Sequence, residues 1–103
     1  MGRAIAAAWG AAMVLACASD APPQPELGAV WRDYQALPGE RALAIAGDPR
    51  RDRWVAASSG GHAEREQAEA EAVSRCRIRR GLRRMRAECV LYAVGDEIVW
   101  RGQ

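Results

Sequence analysis

Cys89-Val-Leu-Tyr-Ala-Val-Gly-Asp-Glu-Ile-Val-Trp100 is the stretch on which the fold turns. A Gly-Asp pair between two runs of β-branched, aromatic and aliphatic residues is a two-residue hairpin signal, with Gly95 at the position that needs a positive φ. Counting back from that turn sets Ala93 opposite Ile98 and Leu91 opposite Trp100. Strand alternation then gives Cys89, Leu91, Ala93, Ile98 and Trp100 one face and Val90, Tyr92, Val94 and Val99 the other.

Upstream of this hairpin lies a helix. Ala68, Ala72 and Cys76 recur at four-residue intervals, a stripe of small side chains that lets a helix sit close to a sheet. The pattern predicts a start near His62 or Ala63 and a stop at Gly81. Ile78, Leu82 and Met85 form a second apolar set to one side, so a bend is expected near Gly81. Glu64, Glu66, Glu69 and Glu71 fill the first half and Arg75, Arg77, Arg79 and Arg80 the last turns, an order that complements the helix dipole. Earlier still, Ala42 to Ala46 alternates large and small as a strand does. Gly47 to Asp52 is turn chemistry, Arg53 to Ala57 a second strand, and Ser58-Ser59-Gly60-Gly61 a break.

The order is therefore β-β-α-β-β, an α+β fold: a four-stranded antiparallel sheet with one main helix on one face. One helix leaves the second face bare. Trp31, Tyr34 and Leu37, at three-residue intervals before Pro38-Gly39, are expected to fold back over it.

A length of 103 residues allows one domain at most, and 15 basic against 13 acidic side chains give a net charge of +2. That balance forces neither nucleic-acid binding nor acidic disorder on the chain. Half of the residues are hydrophobic, yet many are alanine and the aromatics are four Trp and two Tyr, so the core leans on a few large side chains.

The first residues, MGRAIAAAWGAAMVLACAS, carry a single charge, Arg3, ahead of a small, apolar run. They read as an export signal, too short for the 20 or so apolar residues of a spanning helix. Two processing routes compete. Ala16-Cys17-Ala18 fits ordinary cleavage before Ser19, giving a soluble periplasmic protein. Val14-Leu15-Ala16-Cys17 resembles the bacterial lipobox, though Val-Leu replaces the usual Leu then small residue, and implies acylation of Cys17. Stable anchoring needs more than one acyl chain, as lipoprotein processing supplies. Three of the five prolines lie between Ser19 and Glu26 and suit an extended tether. The expected organisation is a signal over 1–16, a tether over 17–30 and one domain over 31–103. Ala18 after the cysteine points to an outer-membrane lipoprotein facing the periplasm.

Three cysteines in an exported chain leave one odd. Lipidation or cleavage removes Cys17, so Cys76 and Cys89 are expected to pair in an oxidising compartment. Their loop of about 14 residues is worth about 3 kcal/mol in chain entropy. A redox or metal role is disfavoured, since the spacing is not Cys-x-x-Cys and no further ligands accompany it.

The run from Arg41-Ala-Leu-Ala-Ile-Ala, through a Ser-Gly-Gly break and a Glu-x-Ala-x-x-x-Ala-x-x-x-Cys helix, to Cys-Val-Leu-Tyr-Ala-Val-Gly-Asp resembles small exported bacterial domains of unknown function. The resemblance runs from Ala42 to Trp100. It implies a β-β-α-β-β fold with a structural disulfide in an envelope protein, and carries over no catalytic residue.

Catalytic material is thin. His62 is the only histidine, Ser58, Ser59 and Ser74 have no other base, and no phosphate loop, dinucleotide fingerprint or metal spacing occurs. His62 reads as a solvated neighbour of the helix start. No catalytic, cofactor or metal residue is assigned, and no small-molecule substrate is evident.

Seven arginines between 75 and 86 are the conspicuous feature. Arg79, Arg80, Arg83, Arg84 and Arg86 are the candidate contact for an anion or partner, because guanidinium forks bind phosphate and carboxylate bidentately. The plainer reading pairs the arginines with the helical glutamates as a solvated surface. Export argues against nucleic acid. The expected partners are the membrane, through the lipid anchor, and an envelope protein or anionic lipid. The functional expectation is a non-catalytic envelope lipoprotein serving as a binding or structural module; the alternative is a small secreted periplasmic inhibitor or regulator of an envelope enzyme.

Overall fold

The structure, a computed structural model, describes residues 23–51 and 53–102. The expected signal peptide and Cys17 lie outside the described residues. A 3-10 turn at Pro25–Leu27 leads into α1 (Gly28–Gln35), followed by β1 (Glu40–Gly47), β2 (Trp54–His62), α2 (Arg65–Leu82), β3 (Cys89–Val94) and β4 (Glu97–Ile98). The strands form one antiparallel sheet in the order β2-β1-β3-β4. The α+β architecture with a helix on the sheet is as the sequence pattern predicts.

β1 is central, and its alternation divides the core. Ala42, Ala44 and Ala46 face α2 and meet Ala68, Ala72 and Cys76, all fully buried. Leu43 and Ile45 face the other way into a core with Tyr34, Tyr92 and Trp100. The small residues let helix and sheet approach closely, and the Cys76–Cys89 disulfide, with Cα atoms 6.0 Å apart, bonds α2 to β3 across that contact.

The second face is covered as expected by the α1 segment. Tyr34 is fully buried, with Val30, Trp31 and Leu37 packed around the same core. Its hydroxyl donates to the Gly95 carbonyl at 2.8 Å and the Arg41 carbonyl at 3.3 Å, fastening α1 to the β3–β4 turn. Ordered packing begins before the expected boundary at residue 31. Leu27 is 1% exposed, and the Gln24 amide donates to the Tyr92 hydroxyl at 2.8 Å.

Three local expectations need correction. Ser58-Ser59-Gly60-Gly61 does not break β2, which runs on to His62. The pairing steps from Ala42–Ser59 to Glu40–His62, so β2 carries one extra residue there. Gly61, at φ +75, adopts the left-handed backbone beside this bulge. At Gly60 a Cβ would lie 2.7 Å from the Leu37 side chain, so the glycine admits the segment crossing over it.

The second correction concerns β3. Leu43 pairs with Ala93 but Ala44 pairs with Leu91, leaving Tyr92 as an extra residue. The Val99 and Trp100 amides both donate to the Tyr92 carbonyl, at 2.8 and 3.1 Å, so Trp100 does not sit opposite Leu91. Cys89 and Leu91 face α2 as expected, whereas Ala93, Ile98 and Trp100 belong to the aromatic core instead. A bulge reverses alternation beyond it.

The third is the end of α2. Gly81 lies inside the helix, and the left-handed residue is Arg84, at φ 55. The Met85 amide reaches the Arg80 carbonyl and the Arg84 amide the Gly81 carbonyl, both at 3.0 Å, the two bonds of a Schellman cap. The helix starts at Arg65 rather than near His62, because His62 is still paired in the sheet.

Candidate functional site

The arginines of α2 divide by what their side chains reach. Arg75 and Arg79, one turn apart, lean over the outer edge of β2. Arg75 donates to the Ser58 carbonyl at 3.0 Å and Arg79 to the Ala56 carbonyl at 2.7 Å. Arg80 turns the other way and donates to the Ala87 carbonyl at 3.1 Å, tying the helix to the chain entering β3. Among the described residues no hydrogen bond or ion pair involves the side chains of Arg77, Arg83, Arg84 and Arg86. Arg53 donates to the Arg83 carbonyl at 2.6 Å and adds its charge to the same end.

Of the five arginines singled out from sequence, Arg79 and Arg80 are thus engaged with backbone carbonyls, and Arg83, Arg84 and Arg86 stand exposed around the Schellman turn. Neutralisation by the helical glutamates is slight. Within that cluster Arg75 alone has such a partner, Glu71 at 2.8 Å, and Arg65 pairs with Glu69 at the opposite end of the helix.

Beside Arg79 a groove of about 440 Å³ opens between α2 and β2, lined by Trp54, Val55, Ala56, Arg79, Leu82 and Arg83. Leu82 is 79% exposed, and Ile78, one turn before it, is 63% exposed. From sequence these two belong to a second apolar set to one side of the alanine stripe, with a bend expected near Gly81. The helix runs unbroken through Gly81 with Ala68, Ala72 and Cys76 buried, which leaves Ile78 and Leu82 outside that stripe and Leu82 on the wall of the groove beside β2.

His62 has a partner that sequence reasoning missed. Its ring pairs with Glu71, which also holds Arg75. The His62 hydrogen bond, helped by Arg75, holds the Glu71 carboxyl below its ordinary range. The signal was faint, since the contact depends on the β2 bulge. The pair resembles a base and its orienter, but Ser59, on the same strand, is buried and donates its hydroxyl to the Ala68 carbonyl at 2.5 Å. That proton is committed to fastening β2 to α2.

Elsewhere, Asp48 accepts from the backbone amide and guanidinium of Arg50, which hold its carboxyl down at about 2. Burial pushes the Tyr34 hydroxyl up to about 12. Among the described residues no three metal-ligating side chains converge, and no helix is long and apolar enough to cross a membrane. Comparison with known proteins gives no matching family model, no matching curated protein and no matching solved structure.

Proposed function

We propose that the chain is a non-catalytic binding module of a bacterial envelope, held to the membrane by a lipid on Cys17, and that the basic end of α2 is its contact surface. The observation that supports this reading is the exposure of Ile78 and Leu82 within the arginine row. Burying a side chain of that size on a partner releases about 1.5–3 kcal/mol. The surrounding guanidiniums supply selectivity for anionic groups and a steering field.

The secreted-regulator reading rests on Ala16-Cys17-Ala18, which also suits cleavage before Ser19. Metabolic acyl labelling with membrane fractionation separates the two. The parent chain is expected to take up label and sediment with membranes, and Cys17→Ser to lose both. A Cys17→Ser chain that stays membrane-bound, with an unlabelled parent, overturns the anchor. For the contact surface, reversing Arg83, Arg84 and Arg86 to Glu is expected to abolish crosslinking to envelope components in intact cells. Unchanged crosslinks overturn it.

A further inference from the structure

We propose that the outer edge of β2 receives an extended, acidic segment of a partner protein, which adds to the sheet as a fifth strand beneath the flank of α2. This rests on reading the basic end of α2 as the contact surface, and names what that surface takes. Of the two sheet edges, β4 has two residues and β2 has nine. Long edge strands are ordinarily guarded by charged or proline residues of their own. β2 reads Trp-Val-Ala-Ala-Ser-Ser-Gly-Gly-His and has neither lysine, arginine, acid nor proline. Its guard comes from the helix: Arg79 on the Ala56 carbonyl and Arg75 on the Ser58 carbonyl.

Those two carbonyls are two residues apart, the spacing at which successive outward-facing groups of an edge strand meet an incoming strand. A guanidinium on a neutral carbonyl is held less strongly than one on a carboxylate. An incoming acidic chain therefore offers an exchange. Its backbone N–H groups take the Ala56 and Ser58 carbonyls, and a carboxylate takes the released Arg79, while Arg75 keeps Glu71 as its ionic partner. Acidic side chains at alternate positions of the segment face α2 and enter the groove beside Arg79 and Leu82.

Charge selects this occupant. Glu71 serves Arg75, and from Ala72 to Ala87 no acidic residue follows to serve Arg79 or the arginines beyond it. A second copy pairing edge to edge at Ala56 and Ser58 would set its own Arg75 and Arg79 against these, and a flat bilayer cannot enter a groove under a helix flank.

The test uses the full exported chain in detergent and two end-blocked nine-residue peptides of alternating valine with glutamate or with lysine, at about 1 mM, where weak strand addition is still visible. Amide hydrogen exchange is read residue by residue. The glutamate peptide is expected to slow exchange at Ala56 and Ser58 at least about tenfold, and the lysine peptide to leave it unchanged. Leu82→Glu, on an exposed side chain, is expected to abolish that protection without altering the fold. Equal protection by both peptides overturns the acidic specificity. Protection that appears without peptide and depends on protein concentration overturns the partner strand in favour of a second copy. No protection by either peptide, with phosphatidylglycerol vesicles instead perturbing Arg83 to Arg86, overturns the strand and leaves the basic contact surface standing. No response to peptide or vesicle, together with crosslinks unaffected by reversing Arg83, Arg84 and Arg86, overturns both.

Discussion

The two faces of the sheet are built on opposite principles although β1 serves both. On one, alanine meets alanine and a disulfide bonds helix to strand, so cohesion comes from close approach and a covalent link. On the other, Tyr34, Tyr92 and Trp100 fill the space, with Trp31 at their margin. The difference teaches where each face is vulnerable. The alanine face tolerates no added volume, and the aromatic face tolerates no loss of it.

Tyr34→Ala gives the largest effect expected. It empties a fully buried site and strands the Gly95 carbonyl, costing about 4 kcal/mol. Urea unfolding measures it; a loss below about 1 kcal/mol means that α1 is an appendage rather than half of the core. Removing the chain through Pro38 extends the same test. The truncated protein is expected to melt lower and to associate through the uncovered face, as read by calorimetry and sedimentation.

On the alanine face, the double change Cys76→Ala and Cys89→Ala is expected to cost about 3 kcal/mol, the chain entropy of the released loop. Mass spectrometry of the unreduced parent checks the bond directly, since two free thiols would refute it. Ala72→Leu sharpens the comparison. Three added carbons between α2 and β1 are expected to cost about 2 kcal/mol by overpacking, whereas adding volume at exposed Ala70 costs little.

Alkali separates the faces by chemistry. The folded Tyr34 hydroxyl titrates near 12 against 10 in the unfolded chain, because burial opposes the phenolate. The stability tied to its protonated form is complete below pH 10 and is lost as pH rises towards 12. Tyr34→Phe is expected to flatten that loss. An unchanged alkaline profile would place the titration elsewhere. Acid probes the β1–β2 turn in the same way: Asp48 is depressed to about 2 from 3.8, so its contribution is present above pH 4 and disappears as pH falls towards 2.

The smallest effect expected is a gain. Arg84 occupies the left-handed position of the Schellman cap, a conformation in which a side chain is strained, so Arg84→Gly is expected to stabilise by about 1 kcal/mol. A loss of stability would mean that the Arg84 side chain makes a compensating contact.

Element order, the hairpin at Gly95-Asp96, the cysteine pair and the covering role of Trp31, Tyr34 and Leu37 were legible because each follows from local periodicity or from counting. What escaped depended on one residue of register. The bulge at Tyr92 sends Ala93, Ile98 and Trp100 to the aromatic side, and nothing in a run of β-formers announces an unpaired member. Gly60 and Gly61 read as punctuation, yet one makes room for Leu37 and the other shapes a bulge within β2. The arginine row was visible as composition. Its division into edge guards, a β3 tie and exposed charges required knowing that β2 is an outer strand.

The hydrogen bond from the Gln24 amide to the Tyr92 hydroxyl fixes where the chain enters the domain: on the aromatic side, with α2 on the opposite side of the sheet. From Cys17 to Gln24 the chain can reach at most about 25 Å. On the proposed anchor, a lipid on Cys17 keeps this point of entry within about 25 Å of its membrane, and the arginine row lies across the sheet from it, as the palm lies across from the back of a hand.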